Sequence, residues 1–153
     1  MKILEKRLLV ALAALALVAS TAGCSANVSL EAAAQSNSLA CAEFSVRLPD
    51  TIDSLAKRTT DAQATGAWGT PAVVITRCGL PPVSASKLRC VTAQGVDWLV
   101  DEANAPTYRF ISFGRNPATE VIVDSTKASG ANVLDELGAA VQRTKLIRTC
   151  TGK

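Results

Sequence analysis

The side chains with the widest chemical reach in this chain are its five cysteines, Cys24, Cys41, Cys78, Cys90 and Cys150. An odd number in an exported protein leaves one thiol with a separate fate. Cys24 supplies it, because it closes Ser20-Thr21-Ala22-Gly23-Cys24 directly after an apolar run, a setting in which a cysteine sulfur can carry lipid. Four cysteines then remain, and four cysteines allow three pairings. Cys78–Cys90 would close a hairpin, and Cys41–Cys150 would join the two ends of a domain. These are the favoured pairs, and loop-closure entropy gives them roughly 3 and 4–5 kcal/mol. A metal site is the rival use of the same sulfurs, but the chain has neither a Cys-x-x-Cys nor a histidine, so no metal and no cofactor is expected.

The absence of histidine also removes Ser-His-Asp and Cys-His catalysis and imidazole acid–base chemistry. Asp97, Asp101 and Glu102 cluster on or beside one segment. Paired carboxylates can act on glycosidic bonds, although a solvated face is the commoner use of such a cluster. Arg77, Arg109 and Arg115 could hold an anionic headgroup or a carboxylate, with surface salt bridging as the plainer role. Ser112 and Ser125 have no base in the chain other than lysine. Trp68 precedes Gly69-Thr70-Pro71 and could contact a ligand. Trp98 lies on an alternating segment and reads as core, sharing a face with Val96 and Val100. The candidate ligand or partner contacts are therefore Trp68, Arg77 and Arg115. No catalytic residue stands out, and the chain reads as a non-enzyme.

The elements that must position these residues begin with a leader. Lys2, Lys6 and Arg7 precede an unbroken apolar run from Leu8 to Ala19. That length suits a signal peptide rather than a membrane span, which needs about 20 residues. Thr21-Ala22-Gly23-Cys24 resembles a lipobox, with Thr21 in place of the usual leucine. Residues 1–23 are thus expected to be a lipoprotein signal peptide. Residues 24–40 are expected to be a lipidated N-terminus and flexible tether with a reach of roughly 20–25 Å. Secretion with cleavage nearby, or retention as a signal anchor, would equally export residues 41–153, expected to be a single domain.

Within that domain, Pro49-Asp50-Thr51 reads as a helix start, and Ile52, Leu55 and Ala56 form an apolar stripe, predicting a helix over 51–63. Strands are predicted over 72–78, 88–93, 96–101, 108–113 and 120–124, with a two-residue turn at Gln94-Gly95. Leu99 breaks the alternation of its strand, so the second sheet face should be partly covered. A helix over roughly 132–143 carries Val133, Leu134, Leu137 and Val141, with Gly138 weakening its middle. The expected fold class is α+β: a disulfide-stapled antiparallel sheet of about five strands with two helices packed on one face.

The 153 residues are 48% hydrophobic, too apolar for disorder. Lys2, Lys6 and Arg7 against Glu5 contribute +2 of the net +3, leaving about +1 for the remainder. That balance gives no reason to expect nucleic acid.

The stretches AWGTPAVVITRCGL, GVDWLVDE and YRFISFGRNPATEVIVD resemble an actinobacterial envelope family of unknown function, domain-of-unknown-function family 3515. The family's blocks correspond to Ala67-Trp68-Gly69, Arg77-Cys78-Gly79, Gly95 to Val100 and Gly114 to Ala118. The chain departs from the pattern at Ala42, where a proline usually follows the first domain cysteine. The resemblance implies an exported envelope protein and carries no activity with it. The expected role is a non-enzymatic interaction or assembly module, lipid-anchored on the extracytoplasmic face of the cell membrane, with envelope proteins or glycolipids as partners. A lipoprotein that binds a small glycolipid or peptide is the alternative, and a carboxylate-dependent glycan hydrolase the third reading.

Overall fold

A computed structural model of the protein describes residues 27–150. The signal peptide expected over 1–23 and the lipidated Cys24 lie outside the described residues. The first helix or strand among the described residues is helix α1 (Leu39–Ser45), followed by strands β1 (Thr51–Ile52), β2 (Leu55–Arg58), β3 (Thr65–Trp68), β4 (Val74–Leu80), β5 (Arg89–Ala93), β6 (Val96–Asp101), β7 (Thr107–Ser112), β8 (Arg115–Asn116) and β9 (Ala118–Asp124). Helix α2 (Gly130–Val141) and strand β10 (Lys145–Leu146) complete the order. Eight strands form one sheet in the order β1-β2-β3-β4-β9-β7-β6-β5, and β10 pairs with β8 apart from it. Neighbours in the main sheet are antiparallel throughout.

Alternation dictates what each strand buries. Val74 and Thr76 on β4, Val121 and Val123 on β9, Phe110 on β7 and Trp98 on β6 are all buried, and each sits opposite or diagonal to the next in the register. Cys41 and Phe44 from α1 and Val133, Leu134, Leu137 and Val141 from α2 join them in one core cluster. Trp98 is fully buried in this cluster with Val96 and Val100. A second cluster of Leu99, Ile111, Phe113 and Ala118 occupies the opposite face, with Leu80, Val83 and the Cys90 and Cys150 side chains packed on it.

The five predicted strands correspond to β4, β5, β6, β7 and β9, and the second predicted helix to α2. The helix predicted over 51–63 is not formed, so the two helices expected over one sheet face are not the two observed. Asp53 and Ser54 instead take φ of 48° and 68° and turn β1 back onto β2. An aspartate accepts this left-handed region more readily than most residues. Its carboxylate then accepts from Ser129 N at 2.7 Å and Asn132 Nδ2 at 3.1 Å, while Asp53 N donates to Glu136 at 2.9 Å. The turn is thereby locked to the first turns of α2, and tertiary bonding overrides the apolar stripe.

The flexible tether over 24–40 is also corrected from Asn27 onward. Val28 bridges Thr60, Val28 N donates to Thr59 O at 2.9 Å, and Leu30 N donates to Asp61 at 2.8 Å. Gln35 N donates to Gly79 O at 2.9 Å, and a Cβ at position 79 would lie 2.5 Å from Ser36 N. Gly79, at φ 115°, is what lets this segment lie against β4. Ser38 then caps α1.

The disulfide pairs differ from those favoured by sequence. Cys41 bonds Cys78, joining α1 to β4, and Cys90 bonds Cys150, joining β5 to the C-terminal segment. Cys78 is buried beneath α1, whereas Cys90 faces the second cluster, so the two ends of the presumed hairpin point to opposite faces of the sheet. Among the described residues no helix is long and apolar enough to cross a membrane.

Candidate functional site

Three adjacent strands bring two of the predicted arginines together on the second sheet face. Arg77 on β4 sits directly opposite Glu120 on β9, and Arg109 on β7 lies diagonal to it. The Nε of each arginine donates to a different oxygen of the Glu120 carboxylate, which is 4% exposed. Asp101 on β6 sits opposite Arg109, with 3.9 Å between Oδ2 and Nη1. The result is a ladder of alternating sign across four neighbouring strands: Arg77, Glu120, Arg109, Asp101.

The arginine side chains are 33% and 38% exposed. They border a cleft of about 290 Å³, walled by Leu30 and Glu31 of the docked N-terminal segment and floored by Ile75 and Ile122. Guanidinium groups offer planar donor forks and do not exchange protons at physiological pH. The site can therefore bind a carboxylate, phosphate or sulfate group, or hydroxyls, but its arginines cannot act as acid or base. The Glu120 carboxylate is occupied in fixing both guanidinium groups, and Glu31 in the wall is the second carboxylate of the cleft.

The other sequence candidates have structural employment. Trp68 is fully buried, and its Nε1 donates to Pro49 O at 3.0 Å. Arg115 is 6% exposed and donates to Thr144 O at 2.9 Å and Gly95 O at 3.2 Å. It ties the β5–β6 turn to the chain leaving α2, where the carbonyl end of a helix favours a cation. Burial pushes its pKa down, against the opposing pull of Asp97. Neither residue lines the cleft beside Arg77 and Arg109, so of the three contacts expected from sequence only Arg77 borders it.

The acidic cluster is divided. Asp97 accepts from Thr92 Oγ1 at 2.6 Å and from Cys150 N at 2.8 Å, Asp101 accepts from Ala103 N at 3.1 Å, and Glu102 pairs with Arg89 at 2.9 Å. Asp97 and Asp101 stand four residues apart on one strand, about 13 Å, wider than the separation glycosidases use. Ser112 Oγ accepts from Thr119 N at 2.8 Å, and Ser125 Oγ donates to Pro106 O at 2.8 Å. The sulfurs of Cys90 and Cys150 lie beside Asp97 within 4.8 Å, but they are bonded to one another and offer no thiolate for a metal.

Glu120 was read only as the start of a strand. The missed signal is the matched spacing of Ile75-x-Arg77 and Glu120-x-Ile122, which places an opposite charge across from Arg77 whenever the two strands pair antiparallel.

A family described as a protein of unknown function, DUF3515, has a model that matches residues 4–147. No curated protein matches the chain, and no solved structure matches it.

Proposed function

The chain belongs to this family of unknown function, and from that premise we propose that it is an exported, lipid-anchored cell-envelope protein acting as a non-enzymatic interaction or assembly module. The observation that carries the reading is the cysteine count. All four cysteines of the described domain are consumed in two disulfides, which persist in oxidising, extracytoplasmic compartments. Cys24 is left over, and it ends the only lipobox-like stretch in the chain. The family match also begins at residue 4, within the leader. A domain closed by two disulfides, with Ser112, Ser125 and the acidic cluster already partnered, is suited to present a rigid surface.

The test is made on the full chain expressed in an actinobacterial host. Wild-type protein should partition into detergent with the membrane fraction, and its intact mass should begin at Cys24 with a diacylglyceryl adduct. Cys24→Ser should lose both. An unmodified wild-type N-terminus upstream of Cys24 would refute the anchor. Cross-linking in membranes followed by affinity purification should then recover a defined protein. Recovery of a lipid or peptide alone would instead favour a small-ligand binder, the second reading, which the polar cleft lined by Arg77, Arg109, Glu31 and Glu120 supports.

A further inference from the structure

The sheet has two edges, and they are built differently. One ends in β1, a two-residue strand whose turn is bonded to α2. The other ends in β5, which runs for five residues without proline, lysine or a break in register against β6. Long, regular edges of this kind invite another strand, and proteins ordinarily blunt them.

The register shows which β5 groups are available. Gln94 and Gly95, with φ of 46° and 68°, make a two-residue turn, so Ala93 and Val96 form the first hydrogen-bonded pair. Alternation then directs the Val91 and Arg89 amides at β6 and leaves the N–H and C=O of Cys90 and Thr92 facing outward. Those outward groups have no hydrogen-bond partner among the described residues.

One face beside this edge is hollow. On the side of Cys90 and Thr92 lies a groove of about 550 Å³, with an apolar floor of Leu99 and Phe113 and with Arg89 and Arg148 in its wall. On the other face a pocket of about 300 Å³ lies inward from the edge, over β6, β7 and β9 at Val100, Tyr108, Phe110 and Val123, and meets β5 only at Arg89. A strand added to β5 would direct every second side chain toward the groove beside Cys90 and Thr92. The larger groove is lined by two arginines and no acidic residue; Arg89 pairs with the exposed Glu102 at 2.9 Å, and Arg148, which donates to Ser84 O at 3.1 Å, has no carboxylate partner among the described residues.

We propose that β5 is the docking edge for an extended segment of a partner protein, bound by strand addition through the Cys90 and Thr92 backbone, with an acidic side chain in the groove of Arg89 and Arg148. The proposal rests on the interaction-module reading and names the class of partner.

The probe is a synthetic alternating peptide, acetyl-Thr-Val-Glu-Ile-Glu-Val-Thr-amide, added to full chain in detergent. Amide exchange by NMR is the readout. Without peptide, the Cys90 and Thr92 amides should exchange rapidly while Val91 and Ala93 are protected. With peptide at ten times its Kd, the Cys90 and Thr92 amides should slow by about tenfold. The same peptide with lysine for glutamate, or N-methylated on the bonds facing β5, should have no such effect. Thr92→Pro removes the outward N–H, along with the Thr92 Oγ1–Asp97 hydrogen bond on the same strand pair, and should abolish the response while leaving Val91 protected; Thr92→Val, which loses only the hydroxyl, should keep the response. Cys90 and Thr92 amides already protected without peptide would overturn the proposal. So would protection that rises with protein concentration alone, which assigns the edge to a second copy of this chain. Failure of the acidic peptide to outcompete its lysine counterpart overturns it too. A membrane partner recovered equally by wild type and by Thr92→Pro would overturn the docking edge while leaving the interaction module standing. Should Thr92→Pro fail to fold, the N-methylated peptide still decides.

Discussion

Trp68 and Trp98 are both fully buried in the same core cluster, yet their indole nitrogens differ. Trp68 Nε1 donates to Pro49 O at 3.0 Å, whereas Trp98 Nε1 has no acceptor among the described residues. Replacing each by phenylalanine removes similar volume from similar surroundings but different bonding. Trp68→Phe forfeits a hydrogen bond and leaves the half-buried Pro49 carbonyl without its donor, a cost of about 1–2 kcal/mol beyond lost packing. Trp98→Phe removes a donor already desolvated without compensation, which offsets part of its packing loss. The Trp68 variant should therefore be the less stable of the two by about 1–3 kcal/mol. At the usual scaling for a domain of this size, that is a melting-temperature gap of roughly 3–10 °C. Trp98→Ala, which also leaves a cavity, should cost about 3–5 kcal/mol. Guanidinium unfolding of the non-reduced chain measures all three. A Trp98→Phe protein as destabilised as Trp68→Phe would show that bonding at the indole nitrogen does not distinguish the sites. A Trp98→Ala protein that melts like its parent would sink the core assignment altogether.

Non-reducing peptide mapping should recover Cys41 joined to Cys78 and Cys90 joined to Cys150, with no free thiol among the four. Loop-closure entropy makes each bond worth about 4 kcal/mol, so Cys90→Ser/Cys150→Ser should lower the denaturation midpoint without unfolding the chain at room temperature. Gly138→Ala should destabilise the protein although alanine is the better helix former by about 1 kcal/mol. The added Cβ would run into the Gln94 side chain, and a stabilised variant in thermal melts would contradict this close approach. Asp53 has its pKa lowered chiefly by the backbone N–H of Ser129 and then by Asn132. A depressed carboxyl contributes stability that is present above its unfolded value, about 3.9, and is lost as pH falls through the lower folded value. Urea midpoints should thus hold steady down to about pH 5 and fall below about pH 4, less steeply in Asp53→Asn, and equal acid limbs would count against the lock between the β1–β2 turn and α2.

Much of the sheet was legible because its signals are local. Val96-x-Trp98-x-Val100 alternates, and Gln94-Gly95 turns where a left-handed pair is needed. The segment over 51–63 was not, because its helical stripe is outvoted by bonds from Asp53 to residues more than 70 positions away. Likewise, Gly138 reads as a weak point in a helix until Gln94 is seen pressed against it. Disulfide connectivity depends on which sheet face each cysteine occupies, and spacing alone says nothing of that. The Arg77–Glu120–Arg109 site was half visible. The arginines could be named, but the carboxylate that holds them needed the pairing of β4 with β9.

The docking of Val28 on Thr60 would set how far a lipid-anchored form of this protein could stray from a bilayer. With Cys24 lipidated as proposed, only residues 25–27 separate the acyl chains from a fixed point on the domain, a leash of about 14 Å at full stretch. That fixed point is beside β2, and β5 lies six strands across the sheet, about 30 Å away at ordinary strand spacing. The sheet itself then becomes the spacer that a long flexible linker was expected to provide. In that anchored form it would be a stiff arm, held to the membrane by one rim and offering the other, and a partner would have to come within about 45 Å of the lipid surface to be met.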